Sequence, residues 1–282
     1  MSLTPNLLSQ PPLIRAYLGG SFDPVHCGHL QMAMAVYNHL ILIADQRPVH
    51  VALLPNARSP FKDKSSAAKQ RLAMLELAVA DSPLEICTHE LWQAPPVYTI
   101  DTVKALRKRY PDDTLIFIMG ADSVTSLPRW KQGLELTDYV HLWVFDRYSL
   151  PAQTNDSKLQ GETKNKTQTK TKDKTQAATT LATSPIKKAL VPTELQEAKL
   201  IADLPDILQA RSTADPKDLL IPPIDNLKIP LNGRIYRDKT AIAAISSTQV
   251  RQAIAAGASD TLTTLLPPTV AAYIEQHQLY SE

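Results

Sequence analysis

The sequence predicts an α/β protein: a Rossmann-like parallel sheet flanked by helices, with a small helical subdomain at the C-terminal end. Three observations predict it. Short apolar runs alternate along the chain with segments of helical spacing, the pattern of strand–helix–strand units. One of those runs, Leu115 to Met119, is apolar throughout, as a strand covered on both faces of a parallel sheet must be. Glycines close this run (Gly120) and the first one (Gly19-Gly20), at strand ends where a ligand can come close to bare backbone.

Taken in order, residues 1–12 are polar and proline-rich and read as a loose leader. Leu13 to Leu18 is the first strand, and the helical pattern from Leu30 to Leu40 is the first helix. Val49 to Leu54 is a second strand, ended by Pro55-Asn56. The loop from Asn56 to Lys64, with Arg58 and Lys62, follows its carboxyl end and should reach the same crevice as the first strand's. Ser65 to Ala80 has Leu72, Leu75 and Val79 at helical spacing, and Leu84 to Thr88 is a third strand. Thr99 is the expected N-cap of a helix running to Tyr110. After Leu115–Met119 come Gly120-Ala121-Asp122-Ser123 and a fifth strand, Tyr139 to Phe145.

Two returning strands are expected at Gly233–Tyr236 and Ala241–Ile245. Ser246 then caps a helix from Thr248 to Ala256, closed by Gly257. Pro267-Pro268 opens a last helix, Thr269 to Gln278, whose Val270, Tyr273 and Ile274 should pack on the sheet. Residues 13–150 and 232–282 thus form the domain, and 151–231 is an insertion. Its Lys/Thr/Gln-rich part cannot bury enough apolar surface to offset the entropy of ordering, whereas 194–210 has the spacing of a short helix interrupted by Pro205.

Composition excludes several classes. No run of eighteen apolar residues is present, so no membrane span is expected, and the N-terminal segment lacks the basic and apolar regions of a secretion signal. Two cysteines, Cys27 and Cys87, are too few for a disulfide framework, which points to a reducing cytoplasm. The net charge of +2 hides a division: residues 151–190 hold eight Lys against three acidic residues, leaving 22 basic and 25 acidic residues elsewhere. The globular part is therefore no basic nucleic-acid binder, and its positive charge must be local.

Two stretches offer that local charge. Strand, glycine turn and helix start follow one another at Gly19-Gly20-Ser21-Phe22-Asp23-Pro24-Val25-His26-Cys27-Gly28-His29. A helix N-terminus presents unpaired N–H groups and a partial positive charge, both suited to phosphate, and His26 and His29 at i and i+3 should face it together. The same spacing could be half of a metal site, but no third ligand stands in a neighbouring motif. Ser246, Ser247 and Thr248 at another helix start, with Arg251 one turn in, form a second anion site.

The first stretch resembles the (H/T)xGH motif of the nucleotidyltransferase superfamily, in the GG(S/T)FDPxHxGH form of bacterial nicotinate-nucleotide adenylyltransferases. Ile245-Ser246-Ser247-Thr248-Gln249-Val250-Arg251 resembles the same family's ISSTxIR, with Val250 as a mild substitution. The resemblance spans roughly 13–149 and 232–280. It implies transfer of an adenylyl group from ATP to nicotinate mononucleotide, with His26, His29, Lys62 and Arg251 as the catalytic residues. ATP would lie against Gly19, Gly20, Ser21, Phe22, His26, His29, Gly120, Asp122, Ser246, Ser247, Thr248 and Arg251. The mononucleotide would meet Asp23, Lys62, Tyr98, Thr99 and Trp130, the last stacking on the nicotinate ring.

Mg²⁺ is implied as a passenger of ATP, with no metal held by the protein. Phe61 stands where the family often has histidine, a departure that leaves Lys62 to reach phosphate from that loop. The competing readings are pantetheine-phosphate adenylyltransferase, a cytidylyltransferase, or a non-catalytic nucleotide sensor. A homo-oligomer stays open.

Overall fold

The computed structural model describes residues 11–57, 66–148, 204–220 and 233–281. The loop carrying Arg58, Phe61 and Lys62, the leader to residue 10 and the Lys/Thr/Gln-rich segment lie outside the described residues. Seven strands form one parallel sheet in the order β3-β2-β1-β4-β5-β7-β6. They are β1 (Ile14–Gly20), β2 (Val49–Pro55), β3 (Glu85–Ile86), β4 (Thr114–Gly120), β5 (His141–Tyr148), β6 (Ser212–Thr213) and β7 (Ile235–Ala243).

The strand pattern explains the two-sided core. Along β1, β2, β4 and β5 successive side chains go to opposite faces, so Leu18, Leu53, Ile118 and Trp143 join one apolar cluster. Tyr17, Leu54, Phe117 and Val144, each one residue away, join the other. The first cluster is covered by α1 (Cys27–Ile43) and α2 (Ala68–Val79), the second by α3 (Thr99–Arg109) and α4 (Ala121–Ser126). In α1 the buried Met32, Val36 and Leu40 recur every four residues, which lays one stripe of the helix on the sheet. Burial on both faces makes the central strands apolar throughout, as the sequence of β4 requires.

The C-terminal subdomain consists of α6 (Ser247–Ala255), α7 (Ser259–Leu265) and α8 (Pro268–Gln276), with Val270 and Ile274 of α8 buried and Tyr273 partly so. Among the described residues no helix is long and apolar enough to cross a membrane.

Three local readings are corrected. The two returning strands are one, β7, because its pairing with β5 continues past a register shift between Phe145 and Arg147. The short helix expected over 194–210 begins only after Pro205 within the described residues, as α5 (Asp206–Gln209); the earlier part lies outside them. Thr99 is the first residue of α3 rather than its cap, and Tyr98 takes the N-cap position. The sheet also draws on the segment read as an insertion, since β6 pairs with β7 and Leu208 and Leu219 are buried.

Two polar ties hold the frame. At the amino end of the sheet the Arg47 guanidinium donates to the carbonyls of Pro12, Leu13 and Leu220 and to the Thr114 hydroxyl, at 2.7–3.2 Å. Inside the core, Trp143 Nε1 donates to Asp238 Oδ2 at 2.9 Å, and Thr240 N donates to Asp238 Oδ1 at 2.8 Å. A buried carboxylate costs little only when its oxygens are met in this way.

His141, first residue of β5, gives the fold a pH dependence. It is buried, its Nδ1 accepts the Arg234 N–H at 3.0 Å, and burial, reinforced by Arg107 and Arg234, brings its pKa down to about 3. Because the folded state holds it neutral while the unfolded chain protonates near its ordinary value, its contribution is whole above pH about 6.5 and is lost as pH falls towards 3. Within that window stability should drop by up to ~1.4 kcal/mol per pH unit from this group. Urea unfolding of wild type and His141→Gln between pH 7 and 4 checks it, with a shallower decline expected in the variant.

Candidate active site

The carboxyl ends of β1 and β4 open onto one cavity of about 730 Å³, a size ordinary for small-molecule ligands. Gly19 lies close against the neighbouring strand: a Cβ there would sit 2.5 Å from Cζ of Phe117, so that ring would have to shift. The chain then turns sharply, with Phe22 at φ 46°, a conformation that a bulky side chain adopts only when its surroundings hold it. Beyond the turn, α1 starts with His26 at its N-cap in extended conformation and His29 in its first turn.

The two imidazoles stack, with centroids 3.6 Å apart and planes 20° from parallel. The His26 N–H donates to Nδ1 of His29 at 3.3 Å, which leaves the proton of a neutral His29 on Nε2. Both rings line the cavity beside Gly19, Gly20 and Ser21. The first turn of α1 contains no acidic residue, so its partial positive charge is uncompensated by the helix itself.

Ser246, Ser247 and Thr248 line the cavity from the start of α6. Ser246 and Gln249 cap each other, the serine hydroxyl accepting the Gln249 N–H at 3.2 Å and Gln249 Oε1 accepting the Ser246 N–H at 2.8 Å. Ser247 Oγ donates to the Pro24 carbonyl at 3.0 Å, fastening α6 to the turn before α1. Gly120, at the N-cap of α4, and Asp122, in its first turn, form another part of the lining. Tyr98, Thr99 and Trp130 complete it with an aromatic surface.

Three of the residues expected at ligands lie behind the cavity wall. Phe22 is fully buried with its ring edge-on to His29, centroids 4.8 Å apart, so it supports that imidazole. Asp23 is 2% exposed, and its carboxylate accepts the Ser66 N–H at 3.1 Å and the Tyr280 hydroxyl at 2.5 Å. Burial pushes its pKa up, but those two donors and Arg251 outweigh it and hold the carboxyl below its usual range. Arg251 donates from Nη1 to the Asp23 carbonyl at 2.6 Å and from Nη2 to Thr248 Oγ1 at 3.3 Å. Lys62 lies outside the described residues.

Other participants carry weaker marks in the sequence. Arg71 is 1% exposed and donates to the Ser21 carbonyl at 2.8 Å, to the Ala57 carbonyl at 2.7 Å and to Asn56 Oδ1 at 3.4 Å. It thereby joins the turn after β1 to the loop after β2. Its signal was present: Arg71 shares a helix face with Met74 and Leu75, and a cation on a buried face must find acceptors. Glu90 lines the cavity, accepts the Thr102 hydroxyl at 2.7 Å, and has its pKa pushed up by burial, partly offset by that hydrogen bond. Nothing local in its loop foretells this. Arg129 and Lys131 flank Trp130 in the lining, and Lys131 Nζ sits 4.4 Å from the Tyr98 ring centroid and 3.1 Å from Asp101 Oδ2.

The cytidylyltransferase-like family matches residues 17–253. A probable nicotinate-nucleotide adenylyltransferase from Aeromonas hydrophila is 32% identical over 272 residues, 96% of this chain and 98% of that protein. One of the same name from Pseudomonas syringae is 31% identical over 266 residues, 93% of this chain and 91% of its own. Among solved structures, Plasmodium falciparum nicotinic acid mononucleotide adenylyltransferase complexed with NaAD aligns over 95% of this chain and 97% of that one. The TM-score is 0.58 at 13% identity, a likeness of fold.

The Arg71 node makes a direct prediction. Arg71→Lys replaces a planar fork by a single ammonium that cannot span acceptors on two loops, and leaves buried carbonyls unmet. Stability should fall by about 1–3 kcal/mol, read as a lower urea midpoint at unchanged slope.

Proposed function

The chain belongs to the cytidylyltransferase-like family and to its nicotinate-nucleotide adenylyltransferases, and on that premise we propose that it transfers the adenylyl group of ATP to nicotinate mononucleotide. The products are nicotinate adenine dinucleotide and pyrophosphate, a step of NAD biosynthesis. One observation carries the reading: two helix N-termini, one with the stacked His26–His29 pair and one with Ser246–Thr248, line the same cavity as the aromatic Tyr98 and Trp130. Such a cavity offers donors for phosphates in its middle and a flat surface for a ring.

The chemistry asks little of acid–base groups. The attacking phosphate of the mononucleotide is already ionised at neutral pH, so no general base is needed. Its oxygen bonds to the α-phosphorus of ATP as the bond to the β-phosphate bridging oxygen breaks, and pyrophosphate leaves with that electron pair. The barrier lies in bringing two anions together and in charge spreading over the phosphoryl oxygens, so positioning and fixed donors dominate. We assign His26 and His29 to those oxygens, with Nε2 of His29 as donor, and Lys62 to the triphosphate, while Arg251, behind the wall, holds the Asp23 carbonyl and Thr248 in place. Asp122 is assigned to the ribose, and Trp130 with Tyr98 and Thr99 to the nicotinate end.

Among the described residues no group of three or more His, Cys, Asp or Glu side chains is placed to hold a metal, and of the two carboxylates lining the cavity Glu90 is occupied by Thr102. Mg²⁺ is proposed to enter on ATP, where it would neutralise charge on the departing pyrophosphate. The substrates are water-soluble, and the free thiols of Cys27 and Cys87 accord with reducing surroundings. We therefore place the reaction in the cytoplasm.

The test is pyrophosphate release with ATP and Mg²⁺, offering nicotinate and nicotinamide mononucleotides in parallel. Strong preference for the acid is expected. Equal use of both would remove recognition of the nicotinate carboxylate from the role given to Tyr98, Thr99 and Trp130, and release with neither would overturn adenylyl transfer to a pyridine mononucleotide. In the same assay His29→Ala should lower kcat by about 10²–10³-fold with the unfolding midpoint close to wild type; near-normal turnover would end the role given to His29.

A further inference from the structure

The carboxylate of Asp23 has two partners, and both come from distant parts of the chain. Ser66 N opens the approach to α2, and the Tyr280 hydroxyl belongs to the segment that follows the last helix, 257 residues away. The main-chain carbonyl of the same residue accepts Arg251 from α6. Asp23 sits inside the turn that begins at Phe22, whose left-handed backbone needs holding, and ends at His26. Tyr280 is itself held against preference: its φ is 66°, and Gln278 before it is at 50°. These two left-handed residues bring the chain back from the end of α8, and Leu279 and Tyr280 then pack on the apolar cluster beneath α1. A segment folded back at such a cost, with its hydroxyl delivered to a buried carboxylate, is a built contact.

We propose that Tyr280 is a positioning residue for the phosphate site: acting through Asp23, its hydroxyl fixes the turn that presents His26 and receives Arg251. The proposal rests on the adenylyl-transfer reading for its kinetic consequence but not for its geometry. Tyr280 itself is absent from the cavity lining, so it touches no substrate there. Removing the hydroxyl takes from a buried carboxylate its 2.5 Å donor and leaves only Ser66 to meet it, and the turn relaxes in response. His26 and Arg251 move with it, while Trp130, Tyr98 and Asp122, carried by other elements, stay in place. The histidine pair, whose donors matter most as charge spreads in the transition state, is thereby misplaced, whereas the surfaces that hold the two substrates are kept.

The experiment compares wild type with Tyr280→Phe and Tyr273→Phe, the latter removing a hydroxyl from α8. Tyr280→Phe should lower kcat by about 10- to 100-fold while KM for either substrate changes less than ~3-fold, and Tyr273→Phe should leave kcat unchanged. The imidazole proton signals of His26 and His29 in NMR should shift in the first variant alone. An equal loss in both variants, or unchanged kcat and unchanged imidazole signals in Tyr280→Phe, overturns the proposal.

A double-mutant cycle with Asp23→Asn tests the route through the carboxylate, and the fold of each variant is checked by its unfolding midpoint. If Tyr280 acts through Asp23, adding Tyr280→Phe to Asp23→Asn costs under ~2-fold in kcat, whereas full multiplication of the two effects overturns it. If wild type releases no pyrophosphate, adenylyl transfer falls as the function, and the imidazole signals still decide whether Tyr280 positions the turn.

Discussion

Two helix N-termini aimed at one cavity repel each other, because each carries a partial positive charge and unpaired N–H groups. The arrangement of α1 and α6 persists because the turn before α1 supplies acceptors to α6: the carbonyls of Asp23 and Pro24 take hydrogen bonds from Arg251 and Ser247. These contacts join residues 228 and 223 positions apart, so the side of the cavity lined by Ser246, Ser247 and Thr248 forms only once the C-terminal subdomain has docked. An anion between the two helix starts completes what the protein leaves uncompensated, and this is why the site is suited to phosphates before any particular substrate is considered.

The same region gathers buried charge to an unusual degree. Asp23 and Arg71 are almost fully buried and not paired with each other in a salt bridge; each is met by neutral groups, the carboxylate by an N–H and a hydroxyl, the guanidinium mainly by carbonyls. Full desolvation of either without such partners would cost several kcal/mol. Their long-range attraction still acts, since Asp23 opposes the lowering of the Arg71 pKa by burial. The turn after β1 is therefore clamped from one side by Arg71 and from the other by Asp23. Imidazoles mounted on so rigid a turn need little reorganisation when charge develops on a phosphoryl group.

Much of this was legible in advance, for identifiable reasons. β4 and the paired glycines of β1 could be read because a strand covered on both faces leaves no room for polar residues, and Gly19 lies against the Phe117 ring. Ser246 could be read as a cap because its partner Gln249 stands three residues on. Thr99 was misread because a cap depends on where the chain turns into the helix, and the extended residue there is Tyr98. One strand was taken as two because β7 carries charged residues in its middle, Asp238 and Lys239, and the buried Asp238 is met by a side chain from another strand, Trp143 of β5.

By itself the sequence determined the alternation of elements, the apolar faces, the two helix-start motifs and hence the class of ligand, because these depend on residue type and short-range spacing. Only the tertiary structure decided which of the motif residues reach the cavity. His26 and His29 face it, whereas Phe22 and Asp23, embedded in the same string, turn away to support the histidines and the turn. It alone brought Glu90, Lys131 and Tyr280 into the account. Burial and hydrogen-bond partners are properties of segments that meet across hundreds of residues, and no local pattern encodes where a distant hydroxyl will arrive.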